Sequence, residues 1–178
     1  MARLPYATRE DTPQAHQAAY DRMINERGGG NIFLALANIP NLTNALLDFT
    51  KEMKVGAVVE QRLRELSILT VGHVSECPYE FDHHWNNALK AGLRRAQMEQ
   101  LSNADSSPEY DEQERAIVRY AREVTLTGDA SEQTWANLRR YLPPREAMDI
   151  VMSVAWYNAV IRILKPLRIE IEPTFVKA

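Results

Sequence analysis

The sequence predicts an all-α protein organised as one domain over 1–178. Three observations carry that prediction. Apolar residues recur at three- and four-residue steps, most strongly at Leu63, Leu66, Ile68 and Leu69. Starts and stops recur between such segments: Pro13, Pro40, Pro78 and Ser131 at starts, Gly56, Gly92 and Gly128 at ends. The length of 178 residues gives room for one real core and too little chain for two large domains.

Residues 1–12 read as an irregular arm. A helix is expected from Pro13 to about Ile24, with Thr12 as its cap. Gly28-Gly29-Gly30 ends it and is no phosphate loop, since no GK[ST] follows and no strand precedes. A short apolar segment runs from Asn31 to near Pro40. Leu42, Leu46, Leu47 and Phe49 mark the next helix, and 1–40 forms an extension before a core at 42–127. Within the core, 60–74 has an apolar stripe with Arg62, Arg64 and Glu65 as its polar side, and 79–91 is a second helix stopped by Gly92. Residues 102–108 are a loop rather than a linker. Helices follow at about 110–126, 131–141 with Ser131 as cap, and 144–165. The last is apolar on too many sides for a surface helix and belongs in the middle of the domain or in a subunit interface. Its β-branched residues leave strand as the alternative for part of it. Glu60–Glu65 and Asp111–Ala116 echo one another loosely, as a helical pseudo-duplication would.

Composition is that of a soluble globular protein, 45% hydrophobic and 25% charged. The net charge of −3 gives no reason to expect nucleic acid or an anionic membrane as partner. No apolar run approaches the roughly 18 residues of a membrane span. The N-terminus has no apolar h-region, so the expected location is the cytoplasm. One cysteine permits no internal disulfide and no dithiol cycle.

That cysteine lies in the densest reactive segment, Glu76-Cys77-Pro78-Tyr79-Glu80-Phe81-Asp82-His83-His84. Pro78 prefers the first position of a helix, which makes Cys77 the N-cap and Glu80 the third helical residue. The helix N-terminus favours a thiolate at Cys77, while the Glu80 charge opposes it. Glu80 and His84 share a helix face, and Cys77 lines the same cleft one turn earlier. His83 is turned away from His84 by about 100°, which assigns the two rings different tasks. A carboxylate beside an imidazole fixes its tautomer and raises its pKa, an arrangement suited to proton transfer. The same features also suit a surface Glu–His pair and a cysteine acting as a small core hydrophobe. The H-E-x-x-H zinc arrangement is absent, and neither metal nor cofactor is expected. His73, Tyr79, His83 and Trp156 are candidates for lining the site, with Trp156-Tyr157-Asn158 as an aromatic wall or an interface element.

The run Arg62-Leu63-Arg64-Glu65-Leu66-Ser67-Ile68-Leu69, followed by Cys77-Pro78-Tyr79-Glu80-Phe81-Asp82-His83-His84, resembles the carboxymuconolactone decarboxylase superfamily and its alkylhydroperoxidase AhpD-like members. Trp156–Val160 and Leu167–Glu172 resemble the C-terminal end of a subgroup. The resemblance implies an AhpD-like all-helical fold and a homo-oligomer, a trimer or hexamer. In the peroxidase branch a glutamate, a C-x-x-C pair and a histidine form a proton relay and redox centre. Those positions correspond here to Glu65, Cys77, Glu80 and His84, with Glu80 in place of the second cysteine. A carboxylate cannot take over sulfur redox chemistry. The decarboxylase branch needs no cysteine pair, and Glu65, Glu80 and His84 would supply its acid–base work, with His84 the best donor.

Three readings follow. The first is a cofactor-free lyase acting on a small organic acid or lactone. The second is an AhpD-like antioxidant in which Cys77 works with an external thiol. The third is a non-catalytic helical assembly that binds a ligand or another protein.

Overall fold

The computed structural model describes residues 1–178, and its regular structure consists of nine α-helices and two short 3-10 turns. The β-branched residues after Pro144 stay helical. The residues fall into two compact units: 1–56 with 163–176, and 57–162 with 177–178.

The first unit holds α1 (Gln17–Arg27), α2 (Asn31–Leu36) and α3 (Pro40–Val55). Thr12 is not the cap the sequence suggests. Its hydroxyl donates to the Thr8 carbonyl at 3.0 Å, because Thr8 and Asp11 close a turn there through Thr8 N–H and Asp11 Oδ2. Pro13 therefore precedes a 3-10 turn, Gln14–His16, and the helix proper begins at Gln17. Gly28 stops α1 at φ 67°, a left-handed conformation that costs glycine little. Pro40 opens α3 at a position where no amide donor is needed. Ala7, Met23, Ala37 and Leu47 form the core, with Tyr20, Phe33 and Leu34 packed on it.

The second unit carries α4 (Gln61–Val74), α5 (Pro78–Lys90), α6 (Arg95–Glu99), α7 (Glu112–Thr127), α8 (Glu132–Tyr141) and α9 (Pro144–Leu167, to Arg162 in this unit). The five-residue α6 is too short to show a period and is absent from the sequence expectation. Helix α4 is central, packed against both α5 and α7. Every residue from Leu63 to Gly72 is buried, so Arg64 and Glu65 do not form the exposed polar side that the sequence suggests. Neighbours on two sides leave α4 no solvent face there. Leu63, Leu66 and Leu69 are almost fully enclosed, each contributing about 1.5–3 kcal/mol through burial. The buried hydroxyls are satisfied within the helix, Ser67 donating to Arg64 O and Thr70 to Leu66 O.

Leu66 and Leu69 join Trp85, Leu93, Met98, Leu101, Tyr110 and Val118 in one core cluster. The echoing segments Glu60–Glu65 and Asp111–Ala116 begin α4 and α7, and Arg62 pairs with Glu114 between them. They differ at their caps. Asp111 and Glu114 form a reciprocal capping box, whereas Glu60 makes no side-chain cap bond. Ser131 caps α8 by accepting from Thr134 N–H at 3.3 Å.

Helix α9 corrects the expectation that no segment approaches membrane-spanning length. It has 24 residues and a window of mean hydropathy 1.4, of which 39% is buried in the protein. Ala147, Ile150, Val154 and Ile161 face that interior, and the buried Asn158 donates to Thr125 Oγ1 and Val154 O.

Candidate active site

The site is built on the junction between α4 and α5. Helix α4 ends in a Schellman arrangement: Glu76 N–H donates to His73 O, and Cys77 N–H to Gly72 O, both at 3.0 Å. Glu76 takes the left-handed position at φ 49°, which costs a residue with a Cβ about 1–2 kcal/mol. Cys77 then turns extended as the N-cap of α5, with Pro78 first in the helix and Glu80 third. A Cβ on Gly72 would lie 3.1 Å from the Phe81 nitrogen and 3.3 Å from its Cα. Only a glycine lets the end of α4 come so close to the first turn of α5.

This approach brings three sequence-predicted residues together. His84 Nε2 lies 3.0 Å from Glu80 Oε1 on the same helix, and His84 Nδ1 lies 2.6 Å from Glu65 Oε2 on α4. The side chains are 12%, 6% and 6% exposed for His84, Glu80 and Glu65, so this is no surface pair. An ionised carboxylate accepts and does not donate, so an imidazole between two of them meets both demands only with a proton on each nitrogen. Burial works against the charged ring. The Glu80 charge, with the hydrogen bonds that the ring donates to Glu65 and Glu80, overrides it and raises the His84 pKa from 6.5 to about 10.

The other candidates are placed less centrally. Cys77 is buried at 3% exposure, one turn before Glu80. Tyr79 is buried and stacks on His83 with ring centroids 4.2 Å apart. His83 places Nδ1 2.8 Å from Tyr79 O. It thus points away from His84, as the helical period requires. His73 is exposed near the end of α4, and its ring lies 6.0 Å from Phe81. Trp156 is half-buried on α9. Its neighbour Tyr157 is the residue that meets the site, its ring set edge-on to His84 at 4.7 Å. The aromatic run 156–158 signals a wall, but choosing between adjacent positions on a helix requires knowing how α9 is rotated. No group of three or more His, Cys, Asp or Glu side chains is arranged to hold a metal ion.

Residues 40–123 match the carboxymuconolactone decarboxylase family. Among solved structures, a peroxidase-related protein from Silicibacter sp. TM1040 is similar over 97% of this chain and 92% of its own, at 19% identity and a TM-score of 0.79. A protein from Ralstonia eutropha JMP134, described as an alkylhydroperoxidase AhpD core, is similar over 97% and 93%, at 17% identity and a TM-score of 0.80. The debrominase Bmp8, in a cysteine-to-alanine variant complexed with 2,3,4-tribromopyrrole, is similar over 94% and 90%, at 20% identity and a TM-score of 0.78. At these identities the likeness is one of fold, and the fold is AhpD-like. The chain has no significant match among curated proteins.

Proposed function

We propose that this member of the carboxymuconolactone decarboxylase superfamily is a cofactor-free acid–base enzyme, lyase-like in its chemistry, acting on a small organic acid or lactone. One observation carries the reading: a buried imidazole held between the carboxylates of Glu65 and Glu80. Both ring nitrogens are engaged, so His84 acts through a partner rather than on substrate directly. Glu80 has a second carboxylate oxygen outside that bond and is the group that meets substrate. Glu65 fixes the ring from the other side.

A group with a pKa of about 10 keeps its proton at neutrality. It gives that proton up to a strongly basic centre, such as the enolate left when a β-keto or vinylogous acid loses CO₂. In that reaction the breaking C–C bond leaves its electron pair on the enolate. His84 Nε2 gives its proton to the Glu80 carboxylate, Glu80 passes it to the enolate carbon, and water returns a proton to the ring, leaving hydroxide that combines with the released CO₂ as bicarbonate. The buried setting strengthens each of these charge interactions. A mass-spectrometric screen of small keto acids and unsaturated lactones tests the reading. Turnover should appear and fall about 10²–10⁴-fold in folded His84→Gln. Full activity in that variant would contradict the relay.

The second reading places the chemistry at Cys77, oxidised to a sulfenic acid by peroxide and reduced by an external thiol. Its support is the position of Cys77 as N-cap of α5 beside Glu80, together with the fold shared with AhpD-like proteins. The debrominase neighbour extends the same thought to a halogenated ring.

The working form proposed is a homo-oligomer, a trimer or hexamer. Met148, Ala155 and Ala159 are exposed along one face of α9, with Met152 half-buried between them, and this apolar stripe supports association. The net charge of −3 supports a small molecule rather than nucleic acid as the ligand.

A further inference from the structure

Helix α5 carries two of the three relay residues, and its opposite side holds a second constellation with no part in the relay. The ammonium of Lys177 lies 2.6 Å from Asp82 Oδ1. The same nitrogen sits over two aromatic rings, 4.4 Å from the Trp85 centroid and 5.0 Å from that of Phe81. The next residue continues the attachment: Trp85 Nε1–H donates to Ala178 O at 3.0 Å, and Ala178 N–H donates to Asn86 Oδ1 at 2.8 Å. One carboxylate and two π faces around one nitrogen is the chemistry of an alkylammonium box. Arg95 is stacked over the Trp85 ring as well, 5.7 Å from its centroid.

The two sides of α5 are related by the helical period. At about 100° per residue, Glu80 and His84 lie about 40° apart. Phe81, Trp85, Asp82 and Asn86 occupy the arc from about 100° to 240° beyond Glu80. The relay therefore faces one way and the ammonium box the other. Glu65 holds the relay side, while Lys177 and Ala178 hold the far side. Rotation of α5 by a few degrees would change the distance from His84 Nδ1 to Glu65 on α4, and the box is placed to resist that rotation.

We propose that the Phe81–Asp82–Trp85 face of α5 is an alkylammonium-binding box, filled in the folded chain by Lys177, and that its occupancy positions Glu80 and His84. Lys177 is thus a positioning residue that acts through α5 and touches no reacting atom. The ligand class is a primary alkylammonium on an unbranched stem, as Lys177 itself supplies. The pairing is partly open, with Lys177 38% and Asp82 23% exposed in their side chains. A small amine can therefore reach the box once Lys177 is changed.

The test compares Lys177→Met, which keeps the stem and loses the charge, with the unaltered chain. Two readouts are followed: amide exchange across 81–86 and the His84 ring signals in NMR spectra. Neither depends on turnover, so the result stands apart from whether the proton-transfer reading succeeds. Lys177→Met should speed exchange about five- to tenfold and shift the His84 signals. Propylammonium at tens of millimolar, comparable with the effective concentration of a tethered group, should reverse both changes where sodium chloride of equal ionic strength does not. Unchanged exchange and His84 signals in Lys177→Met would overturn the proposal. So would changes that propylammonium fails to reverse.

Discussion

Glu65 on α4 holds His84 on α5 through a 2.6 Å contact between Oε2 and Nδ1, and this bond ties the relay to the packing of two helices. The same ring reaches Glu80 through Nε2. Both contacts are donated by the ring only when each of its nitrogens carries a proton.

The first prediction is a stability slope with pH. The folded state holds the His84 proton to about pH 10, whereas an unfolded histidine loses it near 6.5. The raised pKa means the stabilisation is complete below about 6.5, declines as pH rises, and is gone above about 10. Urea midpoints should fall between pH 7 and 10 in the unaltered protein, with a much flatter profile in His84→Gln. Equal slopes in the two proteins would show that the proton adds nothing to stability.

Gly72→Ala should damage the junction more than a surface glycine change would. The new Cβ would meet Phe81 backbone atoms at 3.1 and 3.3 Å, which cannot move without shifting α5. A loss of about 1–3 kcal/mol is expected, as for overpacking elsewhere. Denaturant titration measures it, and a variant as stable as the parent would show that the helices are not closely fitted there.

Peroxide should be a poor substrate. Glu80 stands where a second thiol would complete a C-x-x-C pair, so Cys77 has no resolving partner in its own chain. Intact mass and thiol titration after peroxide treatment should show slow oxidation without sustained turnover. Rapid, reversible oxidation coupled to turnover would favour the thiol reading.

Light scattering should give a mass well above that of one 20.3 kDa chain, in the range of three or six copies. Substituting Ala155 and Ala159 by glutamate should reduce it, because both are exposed on the apolar face of α9. A monomer at micromolar concentration would remove the proposed assembly.

Much of this arrangement was legible in the sequence because it is local. Cys77-Pro78 announced an N-cap and a first helical residue, and the four-residue step from Glu80 to His84 followed from the helical period. Glu65 entered through family resemblance, since its meeting with His84 depends on how α4 and α5 pack. That packing also buries Arg64 and Glu65, which periodicity alone placed on a polar side. Tyr157 lies more than 70 residues beyond His84 in the chain. A turn of about 100° per residue separates it from Trp156, a rotation no sequence pattern resolves. Thr12 was misread because a Thr8–Asp11 turn competed for its hydroxyl, and α6 was missed because five residues carry no period.

The most direct test of acid–base chemistry is a comparison of kcat for Glu80→Gln and Cys77→Ser on the first substrate that shows turnover, with assembly mass and melting matched to the parent. If Glu80 delivers the proton, Glu80→Gln should lose about 10²–10⁴-fold, while Cys77→Ser should keep most of the activity. A collapse of activity in Cys77→Ser, with Glu80→Gln near the parent rate, would contradict the relay and place the chemistry on sulfur.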